Sequence, residues 1–245
     1  MHPDISIVIP AFDEAERIGS SLERICRYLK NDGINGEIVV VDDGSSDGTA
    51  NAAEGVFSTH PEVDAKVIRY EPNRGKGYAV RIGMRSVRAD IALFTDADLS
   101  TPIEEMAKIV EPIRNGSVDV AFGSRALDRS LIGAHQPWRR EQGGKVINFV
   151  IRKMTGLDFA DTQCGFKAFN MTKFRPLLDV MTIDRFGFDV EFLFVARYHG
   201  LKEREIPVRW NNVEGSKVNV VRDTRRMFTE LAEIKRNAKT GKYDP

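Results

Sequence analysis

Absences narrow the chemistry of this chain before any motif is read. Cysteine is scarce, with only Cys26 and Cys164, and these form no CxxC pair and have no metal-ligand spacing. A disulfide-stapled scaffold and a thiolate zinc centre are thereby excluded. Net charge is also missing: Lys plus Arg and Asp plus Glu are both 36, giving a formal net charge of zero. No global field recruits nucleic acid or an anionic membrane, so electrostatic recognition must be local. Long apolar runs are lacking, and no window approaches the roughly 18 residues that a membrane helix needs. The most apolar segments, such as EIVVV (37–41), are strand-sized. The opening MHPDISIVIP has neither a basic leader segment nor a long apolar one, so a reducing, cytoplasmic setting is expected. The turn after the first strand is not GxGxxG and GxxxxGK[ST] occurs nowhere, which weakens dinucleotide-oxidoreductase and P-loop readings. Internal repeats, low-complexity linkers and a second core are absent.

What is present fits one soluble domain over residues 1–245, with 42% hydrophobic and 29% charged residues. The segments ISIVIP (5–10), EIVVVD (37–42), KVIRY (66–70), IALFT (91–95) and VDVAFG (118–123) read as buried parallel strands. Ile18, Leu22, Ile25, Cys26 and Leu29 fall at helical spacing, with Asp13 and Glu16 as a capping-box start. Thr101, Pro102 and Glu104 predict a second capped start, for a helix ending near Asn115-Gly116. The βαβαβ pattern predicts an α/β, doubly wound, mostly parallel sheet flanked by helices. Residues 124–145 show little periodicity and read as an irregular, substrate-facing segment. Helices are expected over 146–154, 173–180 and 189–198, a strand over 205–210, and a basic amphipathic helix over about 218–240.

In an open α/β sheet, ligands bind beyond the carboxyl ends of the strands. Polar groups gather at five such ends: PAFDE (10–14), DDGS (42–45), NRGKG (73–77), DAD (96–98) and Ser124-Arg125. Extended residues two apart point the same way, so Asp96 and Asp98 can converge on one hard cation. Strand-end acids also cap turns, and that ordinary role suits Asp13 and Asp47. Asp42 and Glu14 can accept hydrogen bonds from a base or from ribose hydroxyls. Gly75-Lys76-Gly77 either brings a lysine to phosphates or is a plain turn.

Together these segments resemble the inverting nucleotide-sugar glycosyltransferases of the GT-A fold. Within them the chain is similar to the polyprenyl-phosphate hexosyltransferases, and most of all to the dolichyl-phosphate glucosyltransferase branch. The resemblance is carried by PAFDE, VVDDGSSDGT (41–49), NRGKGYAVRIGM (73–84), TDADLSTP (95–102), GSRA (123–126), DTQCGFKAF (161–169), FGFDVEFL (186–193) and IPVRW with VEGSK (206–217). It implies a nucleotide-sugar half over about 1–123 and an acceptor half over about 124–217. It further implies that Pro10, Glu14, Asp42, Lys76 and Asp96 bind the nucleotide, that Asp96 and Asp98 hold Mg²⁺ or Mn²⁺, and that Arg125 and Arg140 hold the acceptor phosphate. Asp13 stands where many relatives carry Asn, and Ser100 where the mannosyl branch often carries Gln. The second difference favours glucose.

The expected reaction moves a hexose, glucose first, from a UDP-sugar to a polyprenyl phosphate. Asp98, Asp189 and Arg125 form the expected catalytic set. Asp189 and Glu191 are candidate bases, although first-turn acids also simply meet the helix dipole. A phosphate acceptor, already ionised near neutral pH, needs no base, whereas a hydroxyl acceptor does. The basic set Arg125, Arg129, Arg139, Arg140 and Lys145 reads as phosphate-binding. Leu131, Ile132, Trp138 and the basic tail, with Arg222, Arg225, Arg226, Lys235 and Arg236, suggest peripheral contact with the inner membrane face. A hydroxyl acceptor, GDP-mannose as donor, a nucleotidyltransferase and a non-catalytic nucleotide-sugar binder are the competing readings.

Overall fold

The computed structural model describes residues 2–134, 136, 138–213 and 220–244, with the backbone alone for 139, 140 and 220–225. The first half is built as its pattern predicts, except that the strand expected to be buried over 66–70 runs along the sheet edge and none of its residues is buried. Strand β1 (Ile5–Ala11) leads to α1 (Ile18–Asn31), β2 (Gly36–Asp43), α2 (Thr49–Thr59), β3 (Asp64–Tyr70), α3 (Lys76–Ser86) and β4 (Ile91–Thr95). All seven residues of β1 and all eight of β2 are buried. Strands buried along their whole length occur only when both sheet faces are covered. Alternation then divides the core: Ile7, Ile9 and Leu93 face the layer of α1, while Val8, Val41 and Phe94 face that of α3.

The sheet has seven strands in the order β3-β2-β1-β4-β6-β5-β7, once α4 (Met106–Arg114), β5 (Val120–Ser124), α5 (Trp138–Thr155), β6 (Phe166–Asn170), α6 (Met171–Phe174), α7 (Phe188–Tyr198), β7 (Glu203–Pro207) and α8 (Val220–Lys239) are added. The order runs outward from β1 to β3 and then returns to place β4 on the other side of β1. This reversal opens a crevice at the carboxyl ends of β1 and β4, where doubly wound sheets bind ligands.

Strand β6 was not anticipated. It runs antiparallel between β4 and β5, pairing Phe94 and Phe122 with Lys167. A lysine amid FKAFN breaks the apolar run that marks a central strand. Residues 124–145 are also less irregular than expected, because α5 begins at Trp138 and a 3₁₀ turn covers Arg129–Leu131. The expected helix over 173–180 is instead one turn of α6 and a 3₁₀ segment, Arg175–Asp179. The expected strand over 205–210 begins and ends earlier, and Trp210 makes only an isolated bridge to Ile132.

Both expected side-chain caps are absent. The N-cap of α1 is Arg17, without a side-chain cap, because the Asp13 carboxylate receives the Ser46 N–H at 2.8 Å and ties two loops together. Thr101 likewise leaves its helix uncapped: a 3₁₀ turn at Ile103–Glu105 precedes α4, and Glu104 pairs with Arg24 at 2.8 Å.

Glu203, at the start of β7, is buried beside Arg197, whose Nε donates to Oε2 at 2.9 Å, while Oε1 has no partner. Burial pushes its carboxyl up from 4.5 to about 7, against the pull of Arg197. A group whose folded value lies above its unfolded value takes up a proton on folding, so stability falls as pH rises through the window between the two. The melting temperature should therefore drop between pH 5 and about 7.5. Glu203→Gln should flatten that segment of the profile, as read by thermal melts across pH.

Candidate active site

The crevice is lined from loops whose conformations are mutually fixed. At the end of β1, the N–H groups of Asp13, Glu14 and Ala15 donate to Ser45 Oγ (2.9 Å), Thr49 Oγ1 (2.7 Å) and Asp47 Oδ2 (3.2 Å). Asp47 also receives the Thr49 N–H at 3.0 Å in the turn before α2, but the N-cap of that helix is Gly48 with no side-chain cap, so the expected helix cap is absent here too. Asp42 is buried, with Oδ1 accepting the Ser45 N–H at 2.9 Å and Oδ2 lying 3.6 Å from Arg69 Nε. Pro10 is buried opposite Val41, and Glu14 forms an ion pair with Arg17. These three residues lie at or just beyond the carboxyl ends of β1 and β2.

A second set of polar residues begins where β4 ends. Asp96 and Asp98 lie on a tight turn, closed by Leu99 N–H to Asp96 O at 3.1 Å, and Leu99 adopts a left-handed φ of 46°. A leucine seldom adopts that conformation without a reason, and here it turns the chain immediately after Asp98. Asp98 Oδ1 accepts the Ser100 N–H at 2.9 Å. Asp96 Oδ1 accepts from Lys76 Nζ at 2.5 Å. Burial would lower the lysine's pKa, but Asp96, Asp189 and Asp98 more than offset it and hold Lys76 above its ordinary value.

Behind this pair lies a second one, which the sequence did not reveal. Lys167 is fully buried, and its Nζ donates to Asp189 Oδ1 at 2.5 Å and to Cys164 O at 2.6 Å. Its ammonium also sits 5.4 Å from the Phe94 ring and 6.0 Å from that of Phe122. Burial raises the Asp189 carboxyl, with Lys167 and Lys76 opposing. Glu191 is buried and accepts the N–H groups of Thr182 and Ile183, both at 2.9 Å, and the Tyr243 hydroxyl at 2.8 Å. The expectation that Glu191 is a base is therefore corrected: its carboxylate braces the core and is filled by internal donors.

Arg125 follows β5 and grips Asp161 through two hydrogen bonds, Nε at 2.6 Å and Nη2 at 2.8 Å. Burial would lower the Asp161 carboxyl's affinity for charge, but the guanidinium outweighs it and holds the group below its ordinary value. The guanidinium carbon stands 5.6 Å from the Trp210 ring. Beside it is a cavity of about 270 Å³ lined by Arg125, Arg129, Lys145, Arg152, Ile132, Phe149 and Trp210, among others. Arg140 belongs to the first turn of α5, and its side chain lies outside the described residues, as do Glu214–Lys217 of VEGSK. Asp161 and Lys167 both fall in DTQCGFKAF, and the lysine embedded in FKAF was the available signal. Cys164, in the same segment, is buried and its thiol is pushed up to about 12, so it is no nucleophile near neutral pH.

The donor set suits a hard divalent cation, which takes oxygen ligands. Among the described residues no group of three or more His, Cys, Asp or Glu side chains converges on one point. Asp96 and Asp98, the expected ligands, sit on one tight turn rather than two apart along an extended strand, so the expected reason for their convergence is not met.

A doubly wound, mostly parallel sheet with carboxylates and basic groups at its switch point fits the GT-A fold, and comparisons agree. Residues 6–178 match the model of glycosyl transferase family 2, and the chain belongs to that family. It is 33% identical over 228 residues to dolichyl-phosphate beta-glucosyltransferase of Drosophila melanogaster, covering 88% of this chain and 69% of the other. The Saccharomyces cerevisiae protein of the same name is 32% identical over 259 residues, covering 94% and 74%. Among solved structures, glucosyl-3-phosphoglycerate synthase of Mycobacterium tuberculosis in complex with Mn²⁺, UDP-glucose and phosphoglyceric acid superposes with a TM-score of 0.68 at 18% identity, covering 95% and 79%. Mannosyl-3-phosphoglycerate synthase of Rubrobacter xylanophilus gives 0.69 at 19% identity, covering 99% and 76%. The resemblance carried by the motif segments therefore stands: the chain is a family 2 glycosyltransferase similar to the dolichyl-phosphate beta-glucosyltransferases.

Proposed function

We propose that this chain transfers glucose from UDP-glucose to a polyprenyl phosphate of the dolichyl type, with Mg²⁺ or Mn²⁺ and with inversion at the anomeric carbon. The observation that carries the acceptor is the cavity beside Arg125, where Arg152 and the Glu141-paired Arg129 and Lys145 share the wall with Asp161, Ile132, Phe149 and Trp210. Cations beside apolar side chains suit a phosphate joined to a hydrocarbon chain better than they suit a sugar hydroxyl.

The uracil and ribose lie against Pro10, Glu14 and Asp42 in this reading, with the diphosphate at Asp96, Asp98 and Lys76. A divalent cation held there supplies Lewis-acid neutralisation of the leaving diphosphate. Arg125, anchored on Asp161, and Arg140 orient the acceptor phosphate. Its second pKa is about 6, so an ionised oxygen attacks without a base. Asp189 then shapes the field around Lys76 and Asp96, and it becomes the general base only if the acceptor is a hydroxyl.

Membrane contact belongs to the same reading. No helix among the described residues is long and apolar enough to cross a bilayer. Trp138, Val146 and Phe149 of α5 are 72%, 62% and 60% exposed, and Lys235 and Arg236 of α8 are exposed too. Apolar and basic side chains on neighbouring surface helices suit an anionic lipid surface.

The test is a matrix of donors and acceptors: UDP-glucose, UDP-N-acetylglucosamine and GDP-mannose, each with and without Mn²⁺, and with polyprenyl phosphate presented in anionic liposomes or with a soluble hydroxyl acceptor. Transfer of glucose to the lipid phosphate, requiring Mn²⁺ and accompanied by cosedimentation with the liposomes at low salt, is expected. Transfer confined to the hydroxyl acceptor would sink the lipid-phosphate reading.

A further inference from the structure

Lys76 meets Asp96 where the Gly165 backbone closes one side of the carboxylate. A Cβ placed on Gly165 would stand 2.2 Å from Asp96 Oδ2 and 2.5 Å from Oδ1, so that glycine backs directly onto the carboxylate. The lysine's backbone is equally fixed. Gly75 has φ +112°, and a Cβ there would lie 2.5 Å from Asp184 O. Tyr78 N–H donates to the same carbonyl at 3.1 Å, which wedges the start of α3 against the 183–188 segment.

Only the lysine's four-carbon stem is left to move. Its side chain retains 27% exposure, and among the described residues its ammonium has one hydrogen-bond partner, Asp96. The other nearby carboxylate, Asp189, is already occupied by the buried Lys167 at 2.5 Å. The site thus holds its own cation on one of the two carboxylates that a divalent metal would need.

We propose that Lys76 is the resident counter-ion of the Asp96–Asp98 site, disfavouring a bare divalent cation until a nucleoside diphosphate offers the lysine a second anionic partner. Metal and donor then enter as a coupled pair. The inference rests on the metal-dependent donor reading above and adds an order to it. With the lysine on Asp96, an arriving dication meets a half-neutralised site and a nearby positive charge, and both weaken its binding. Once the lysine turns to a phosphate, Asp96 is released to the metal. By linkage, metal and diphosphate must strengthen each other's binding by one and the same factor.

The experiment is a titration of the whole chain with Mn²⁺, free ion followed by electron paramagnetic resonance, with and without UDP. The wild-type protein should bind Mn²⁺ weakly alone and much more tightly with UDP. Lys76→Gln should bind Mn²⁺ alone at least about tenfold more tightly than wild type, and UDP should then enhance binding correspondingly less. Lys76→Arg, which keeps the charge, should restore the wild-type pattern. Circular dichroism and melting temperature establish that the variants are folded, and Lys76→Met serves in place of Gln if that variant is not. Unchanged Mn²⁺ affinity in the folded neutral variant, with normal UDP-assisted binding in the wild type, overturns the counter-ion role and leaves the donor reading standing. Wild-type protein that fails to bind Mn²⁺ even with UDP overturns the metal reading, and the inference with it.

Discussion

Asp98→Ala should lower kcat by about a hundred- to a thousandfold, the scale on which loss of one charge-stabilising group is felt. Asp98 makes one hydrogen bond that holds the fold, to Ser100 N–H. Its loss costs about 1 kcal/mol, which for a chain of this size lowers the melting temperature by only about 2–4 °C. Turnover measured with UDP-glucose, polyprenyl phosphate and saturating Mn²⁺, beside a thermal melt, separates the two effects. Retention of full metal-dependent activity would show that Asp98 is not a metal ligand.

Lys167→Met should act in the opposite way, on stability first. The substitution leaves the buried Asp189 carboxylate without the partner that sits 2.5 Å away. Breaking a buried pair from one side costs about 3–5 kcal/mol, whereas replacing both partners with apolar residues is often neutral or stabilising. Equilibrium denaturation should therefore show a large loss for Lys167→Met and recovery of much of it in the double variant Lys167→Met/Asp189→Leu. A single variant as stable as the wild type would mean that Asp189 does not depend on Lys167 for its charge.

Much of the site was legible because local chemistry announced it. Apolar strands ending in Asp42, Asp96 and Ser124-Arg125 had to present those groups at one sheet edge, and they do. Capping signals were less faithful. Asp13 and Thr101 carry cap-type side chains, yet neither caps its helix, because a hydroxyl or carboxylate near several N–H groups takes whichever one tertiary packing brings closest. In the case of Asp13 that donor belongs to Ser46, 33 residues away.

The sequence alone determined the alternation of strands and helices, and with it the edge of the sheet at which ligands bind. Periodicity and strand-end carboxylates are local, and a doubly wound sheet allows few arrangements of them. Tertiary structure decided the placement of β6 between β4 and β5, the burial of Lys167 beneath Asp189, the clamp of Asp161 on Arg125, and the hold of Lys76 on Asp96. The three ion pairs join residues between 20 and 36 positions apart. Such pairs are selected by desolvation, since a charge carried into the interior must meet its opposite there. No pattern along the chain states which opposite charge that will be.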